Sequence, residues 1–109
     1  MKDDQVYIEH ILEAIERIED YTNDLSDSDF LENNMVQDAV MRQIEIIGEA
    51  AKMVSQETKQ DYSEIPWTDV AGMRDNLIHK YFGVDMEQVL NTVKKDIPEM
   101  KDILQDDPT

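Results

Sequence analysis

Apolar residues recur at intervals of three and four along the first part of the chain: Tyr7, Ile8, Ile11, Leu12, Ile15, Ile18 and Tyr21, with Glu and Asp between them. That spacing predicts an amphipathic helix over residues 4–24 with one buried stripe. Glu13 and Arg17 form an i,i+4 pair on it that contributes little. Leu25-Ser26-Asp27-Ser28 reads as a turn, and Asp29-Phe30-Leu31-Glu32 as a capping box with Asp29 as N-cap and Glu32 reaching back. A second helix is expected from there to about Glu57. It is apolar on more than one face (Met35, Val36, Ala39, Val40, Ile44, Ile46, Ile47, Ala50, Ala51, Val54), so it is either central in a bundle or shared with a partner chain. Gly48, with Ala50 and Ala51, would let another helix approach it closely.

Residues 55–64 are polar and read as a connector, with Tyr62 dipping into the core. Pro66 suits the first turn of a third helix, where its missing N–H costs nothing. That helix is expected from 67 to 79 or 81, with Val70, Met73, Leu77 and Ile78 inward and Gly83 as its C-terminal stop. Asp85-Met86-Glu87-Gln88 repeats the capping-box pattern and starts a fourth helix. Pro98 breaks or kinks it, which leaves residues 99–104 as a short final piece and 105–109 as a frayed tail. There is no repeat and no low-complexity linker. The consistent fold class is all-α, an antiparallel bundle of four or five helices forming one domain over residues 1–109.

Composition narrows the chemistry. Without cysteine there is no disulfide, no thiolate nucleophile and no Cys-based metal site. No apolar run approaches the roughly 18 residues of a membrane span, and Met1-Lys2-Asp3-Asp4 lacks the apolar core of a signal peptide. A soluble cytoplasmic protein is the expectation. The formal net charge of -16 opposes broad attraction to nucleic acid. The excess is uneven, however: residues 1–32 hold 11 acids against Lys2 and Arg17, whereas residues 33–83 hold eight acids against five bases. Any nucleic-acid surface must therefore be local.

One stretch concentrates side chains suited to phosphate chemistry, with Arg74, His79 and Tyr81 in the pattern R-x4-H-x-Y. Read together with Ile65-Pro66-Trp67 before it and Phe82-Gly83-Val84-Asp85 after it, this stretch resembles the HEPN ribonucleases. Among them it is most similar to the HepT toxins encoded beside a minimal nucleotidyltransferase (MNT) antitoxin. The resemblance implies a two-fold homodimer that cleaves RNA without a metal or other cofactor. It implies Arg74 and His79 as catalytic residues, and Tyr81 as the acceptor on which the nucleotidyltransferase places AMP. Asp75 and Lys80 are candidates for supporting the site. Asp75 departs from the family's commonest pattern, in which asparagine follows the arginine; an aspartate there could pair with Arg74 and compete with phosphate, or contact Lys80 or solvent.

On a continuous helix at about 100° per residue, Arg74 and Tyr81 fall within ~20° of each other, whereas His79 lies roughly 140° from Arg74. Either the backbone leaves helical geometry near His79 or the two residues meet across a dimer. Bland readings stand beside these roles: a surface arginine, a structural histidine, core aromatics at Tyr81 and Phe82, and Trp67 as an anchor of the core or interface. His10 lies on the acidic first helix beside Glu9 and Glu13, and metal binding there is not expected. A second function class is a non-catalytic helical module that engages a nucleotidyltransferase, favoured by the acid excess and Asp75. A structural adaptor is a third.

Overall fold

The computed structural model of the chain describes residues 2–75 and 85–105. Helix α1 spans Lys2–Thr22 and buries Ile8, Ile11, Ala14, Ile15 and Ile18. Each isoleucine removed from water in this way contributes roughly 1.5–3 kcal/mol. Tyr7 and Leu12 pack half-buried against the same core, whereas Tyr21, at the end of the stripe, is exposed. The Glu13–Arg17 pair forms at 2.8 Å between two exposed side chains, where it contributes at most ~1 kcal/mol.

The expected second helix is divided. Ser26, not Asp29, is the N-cap: its Oγ accepts from the Asp29 N–H at 3.1 Å, and the Asp29 carboxylate accepts from the Ser26 N–H at 3.5 Å. The capping box is thus shifted three residues earlier, and α2 covers Asp27–Glu32. Asn33 then leaves helical geometry (φ -110°, ψ 93°) and caps the next helix, its side chain accepting from the Val36 N–H. The interruption leaves the carbonyls of Phe30 and Leu31 to accept from the buried Gln37 amide at 2.9 and 3.0 Å. Helix α3, Asn34–Met53, ends at Val54 rather than near Glu57. The polar stretch expected to be a connector contains a further short helix, α4 (Gln56–Asp61), capped by Ser55.

Helix α3 runs antiparallel to α1, since Asp4 near the start of α1 bonds Ser55 just beyond the end of α3. It packs against α1, α2 and α5 (Trp67–Ala71), burying Val40, Ile44, Ile47 and Ala51 completely. Its two apolar faces thus largely serve the chain's own core, although Met35 and Met53 remain 79% and 57% exposed. Gly48 has the predicted use. A Cβ there would lie 3.3 Å from the Ala71 carbonyl oxygen and 3.4 Å from that of Val70, so its absence lets α5 sit close on α3.

The third helix starts as expected, with Pro66 at the N-cap and Trp67 as its first residue. It is interrupted at Gly72, which caps α5; residues 73–75 are helical again, and residues 76–81 of the expected helix lie outside the described residues. Leu77, Ile78 and the proposed stop at Gly83 lie outside the described residues. Asp85 caps α6 (Met86–Asn91) through the N–H groups of Glu87 and Gln88, as its position suggested. The disturbance credited to Pro98 lies before it: Thr92–Asp96 form a π-helical turn, and α7 (Ile97–Gln105) continues past the proline. Proline in the first turn of α7 needs no N–H, and the wide turn upstream absorbs the mismatch. Val89, Val93, Ile97, Met100 and Leu104 close the core, with Lys101 Nζ 2.8 Å from Glu19 of α1 and Lys94 paired with Asp27 of α2.

Among the described residues, regular structure is entirely helical: seven α-helices, the helical residues 73–75 and one π turn, more pieces than the four or five helices expected. No helix among them is long and apolar enough to cross a membrane. Residues 106–109 of the expected tail are outside the description.

Candidate functional site

Arg74 is delivered to the surface by a short, firmly anchored element. Trp67 is buried and its indole N–H donates to the Tyr62 carbonyl at 3.1 Å; Val70 is buried one turn on. After the Gly72 cap, half-buried Met73 faces the core, which leaves Arg74 and Asp75 exposed. On α3 the buried Ile44 and Ile47 flank Glu45, whose side chain is 30% exposed. Gly48 meets Ala71, and three residues back on α3 Glu45 meets Arg74, three residues forward of Ala71. This antiparallel register ties the glycine contact to the charged one.

The Arg74 Nε lies 2.7 Å from Glu45 Oε2. Arg42 Nη1 donates to the other oxygen, Glu45 Oε1, at 2.6 Å. Arg74 Nη1 also donates to Asp75 Oδ1 at 3.5 Å, the long limit of a hydrogen bond. Two of the chain's three arginines thus converge on one carboxylate. Asp75 does pair with Arg74, one of the alternatives left open by the sequence, although weakly. His79, Lys80 and Tyr81 lie outside the described residues.

Beside Glu45 opens a groove of about 390 Å³, lined among others by Tyr7, His10, Arg42, Ile46 and Met53. The His10 ring stands edge-on to Tyr7, 6.2 Å between centroids. A larger cleft of about 800 Å³ is lined by Val70, Met73 and Met100, and by the carboxylates of Glu64, Asp69, Asp96 and Glu99. Four carboxylates make it a poor seat for a phosphate. The arginine cluster is the better candidate. Among the described residues, no group of three or more His, Asp or Glu side chains is placed to hold a metal ion.

Glu45 and Arg42 were not singled out from the sequence. Their i,i+3 spacing in Arg42-Gln43-Ile44-Glu45 is legible as a helix-face pair. That Arg74 joins them from about thirty residues away is not.

The chain matches the family model described as ribonuclease HepT-like over residues 11–106, a range that contains the whole Arg74–Tyr81 stretch. It belongs to the HepT-like ribonuclease family. A protein of Methanocaldococcus jannaschii named "gamma-glutamylcyclotransferase and putative RNase" is 52% identical over 93% of this chain; the chain spans 46% of that relative's length. A "probable ribonuclease HepT" of Thermococcus cleftensis is 50% identical, with 87% of this chain and 86% of the relative covered. A "putative RNase" of Caldanaerobacter subterraneus subsp. tengcongensis is 41% identical, with 96% and 97% covered. No solved structure matches the chain. Membership places this HepT-like chain among RNA-cleaving enzymes, and the helical fold agrees with that class.

Proposed function

We propose that this HepT-like protein is a metal-independent endoribonuclease and the toxin of a HepT/MNT toxin–antitoxin pair, with Arg74 and His79 as its catalytic residues. The observation that carries the reading is Arg74: an exposed guanidinium on a rigidly anchored element, held side-on at Nε, within a family motif that supplies an imidazole five residues later. In the proposed reaction the ribose 2′-oxygen attacks the adjacent phosphorus as its proton passes to a base. The bond to the 5′-oxygen breaks, and that oxygen takes up a proton. His79 serves this proton transfer, since imidazole titrates near neutrality. Arg74 stabilises the negative charge that builds on the non-bridging oxygens. DNA lacks the attacking hydroxyl and is not a substrate by this route.

Two copies are proposed to pair by two-fold symmetry. Support comes from the groove lined by Tyr7, Ile46 and Met53, which places half-buried and exposed apolar side chains beside Glu45 and Arg42. A two-fold contact needs a face that complements itself when rotated onto itself. AMP attached to Tyr81 by the nucleotidyltransferase partner would bring bulk and a negative phosphate within a few residues of Arg74 and silence cleavage. Because Glu45 and Asp75 already oppose the Arg74 charge, a second reading remains specific: a module that binds the nucleotidyltransferase without cleaving RNA.

The test is cleavage of varied RNAs by purified protein in the presence of a chelator, beside Arg74→Ala and His79→Ala, with unmodified Tyr81 verified by intact mass. Wild-type cleavage abolished by both substitutions is expected. Binding of the nucleotidyltransferase by a folded protein that cleaves nothing would establish the second reading.

A further inference from the structure

We infer that Glu45 is a positioning residue for Arg74, fixing the direction in which its guanidinium meets a phosphate. The inference rests on the ribonuclease reading and adds to it a residue that the R-x4-H-x-Y motif does not contain. Three features carry it. The buried Ile44, Ile47 and Gly48 fix the rotation of α3, and the close approach of Gly48 to Ala71 fixes the height of Glu45 against Arg74. The carboxylate is itself steadied, because Arg42 Nη1 holds Oε1 at 2.6 Å while Oε2 faces Arg74 Nε at 2.7 Å. The contact is an ion pair closest at Nε, without the angle of a hydrogen bond, so the outer edge of the fork stays available. Nη1 has only the 3.5 Å bond to Asp75, and Nη2 makes no bond to a described residue. A phosphate takes two parallel N–H groups from one face of a guanidinium. A carboxylate on Nε therefore orients the arginine for that use without filling both outer positions.

The opposite role, a carboxylate that competes with phosphate for Arg74, predicts the opposite sign. The experiment compares Glu45→Ala and Glu45→Gln, because glutamine keeps the length of the side chain and loses the charge of the ion pair. Two readouts are taken: kcat and KM for a short RNA, and the Nε–H NMR signal of Arg74. With three arginines in the chain, that signal is assignable by its disappearance in Arg74→Lys. Glu45→Ala is expected to lower kcat about tenfold with KM changed less than about threefold, the pattern of a misaligned transition-state contact. Its Arg74 signal should merge with those of free arginine side chains. Glu45→Gln, which lacks the charge of the ion pair, should recover no more than part of the rate. A Glu45→Ala rate equal to or above wild type, or an Arg74 signal unchanged in that variant, overturns the inference. If wild type cleaves no RNA, the ribonuclease reading fails, and the Arg74 signal alone decides whether Glu45 holds the arginine. Circular dichroism checks that each variant folds.

Discussion

At the scale of single residues, the charge balance around Arg74 sets how strongly it can hold a phosphate. Glu45 faces Nε and is held in turn by Arg42, whereas Asp75 reaches only Nη1 at 3.5 Å, with both of its partners exposed. An exposed pair of this kind is worth roughly 0.2–1 kcal/mol. Asp75→Asn, which removes that charge and keeps the side chain's shape, should therefore lower KM for RNA about two- to five-fold and leave kcat nearly unchanged. Steady-state cleavage of a labelled oligonucleotide measures both. Asp4 illustrates a different use of a carboxylate. It accepts from the Ser55 N–H at 3.0 Å, the Ser55 hydroxyl at 2.5 Å and the Thr58 hydroxyl at 2.6 Å, which together hold its pKa at about 2 against an ordinary 3.8. The depressed value means the folded state favours the ionised form. That stabilisation is complete above pH 3.8 and is lost as pH falls through about 2. Asp4→Asn should unfold at lower urea concentration than wild type at pH 6, and the gap between the two should shrink across the window from pH 3.8 to 2.

At the scale of elements, the fold turns on how α5 seats against α3. Gly48→Ala sets two effects against each other. The added methyl gains up to about 1 kcal/mol of helix propensity, but its contact at 3.3 Å is with backbone, the Ala71 carbonyl, which must shift by a few tenths of an ångström. Stability measured by urea unfolding should stay within about 1 kcal/mol of wild type. RNA cleavage should fall, because the displaced segment is the one that carries Arg74. A bulkier Gly48→Leu should also destabilise by about 1–3 kcal/mol. This close contact was readable in advance as small residues on an apolar helix, although which helix would use it was not. The long stripe of α1 and the Asp85 cap were legible because each depends on neighbours within a turn or two. The breaks at Asn33 and Gly72 were missed. Both residues interrupt otherwise continuous periodicity, and their geometry is stabilised by bonds the pattern cannot show, such as the Gln37 amide closing on Phe30 and Leu31. Likewise α4 has no buried residue, so no apolar period marked it; its Ser55 cap was the only local sign. Arg74 was found as a motif member, whereas its partner Glu45 needed tertiary structure.

For the whole molecule, the open issue raised by helix geometry is whether the arginine and histidine of one working site come from one chain or two. On a regular helix they point roughly 140° apart, so a regular helix carrying both would not bring them together within one chain. The groove that Glu45 lines with Ile46 and Met53 adjoins the ion-pair partner of Arg74, so the two-fold contact proposed there would lie close to Arg74. Mixing the two inactive variants separates the possibilities. Arg74→Ala and His79→Ala proteins are combined, partly unfolded together and refolded so that subunits exchange. If Arg74 of one copy works with His79 of the other, each mixed dimer contains one intact pair and one pair lacking both groups. Random pairing makes half the dimers mixed, so about a quarter of wild-type activity should return. If both residues act within one chain, every site lacks one group and activity stays at the level of the separate variants. Introducing Met53→Asp into both chains should prevent recovery by placing a charge in the apolar groove, with helicity by circular dichroism retained and sedimentation reporting monomers. Recovery despite that charge would locate the two-fold contact on another face of the bundle while leaving the shared site intact.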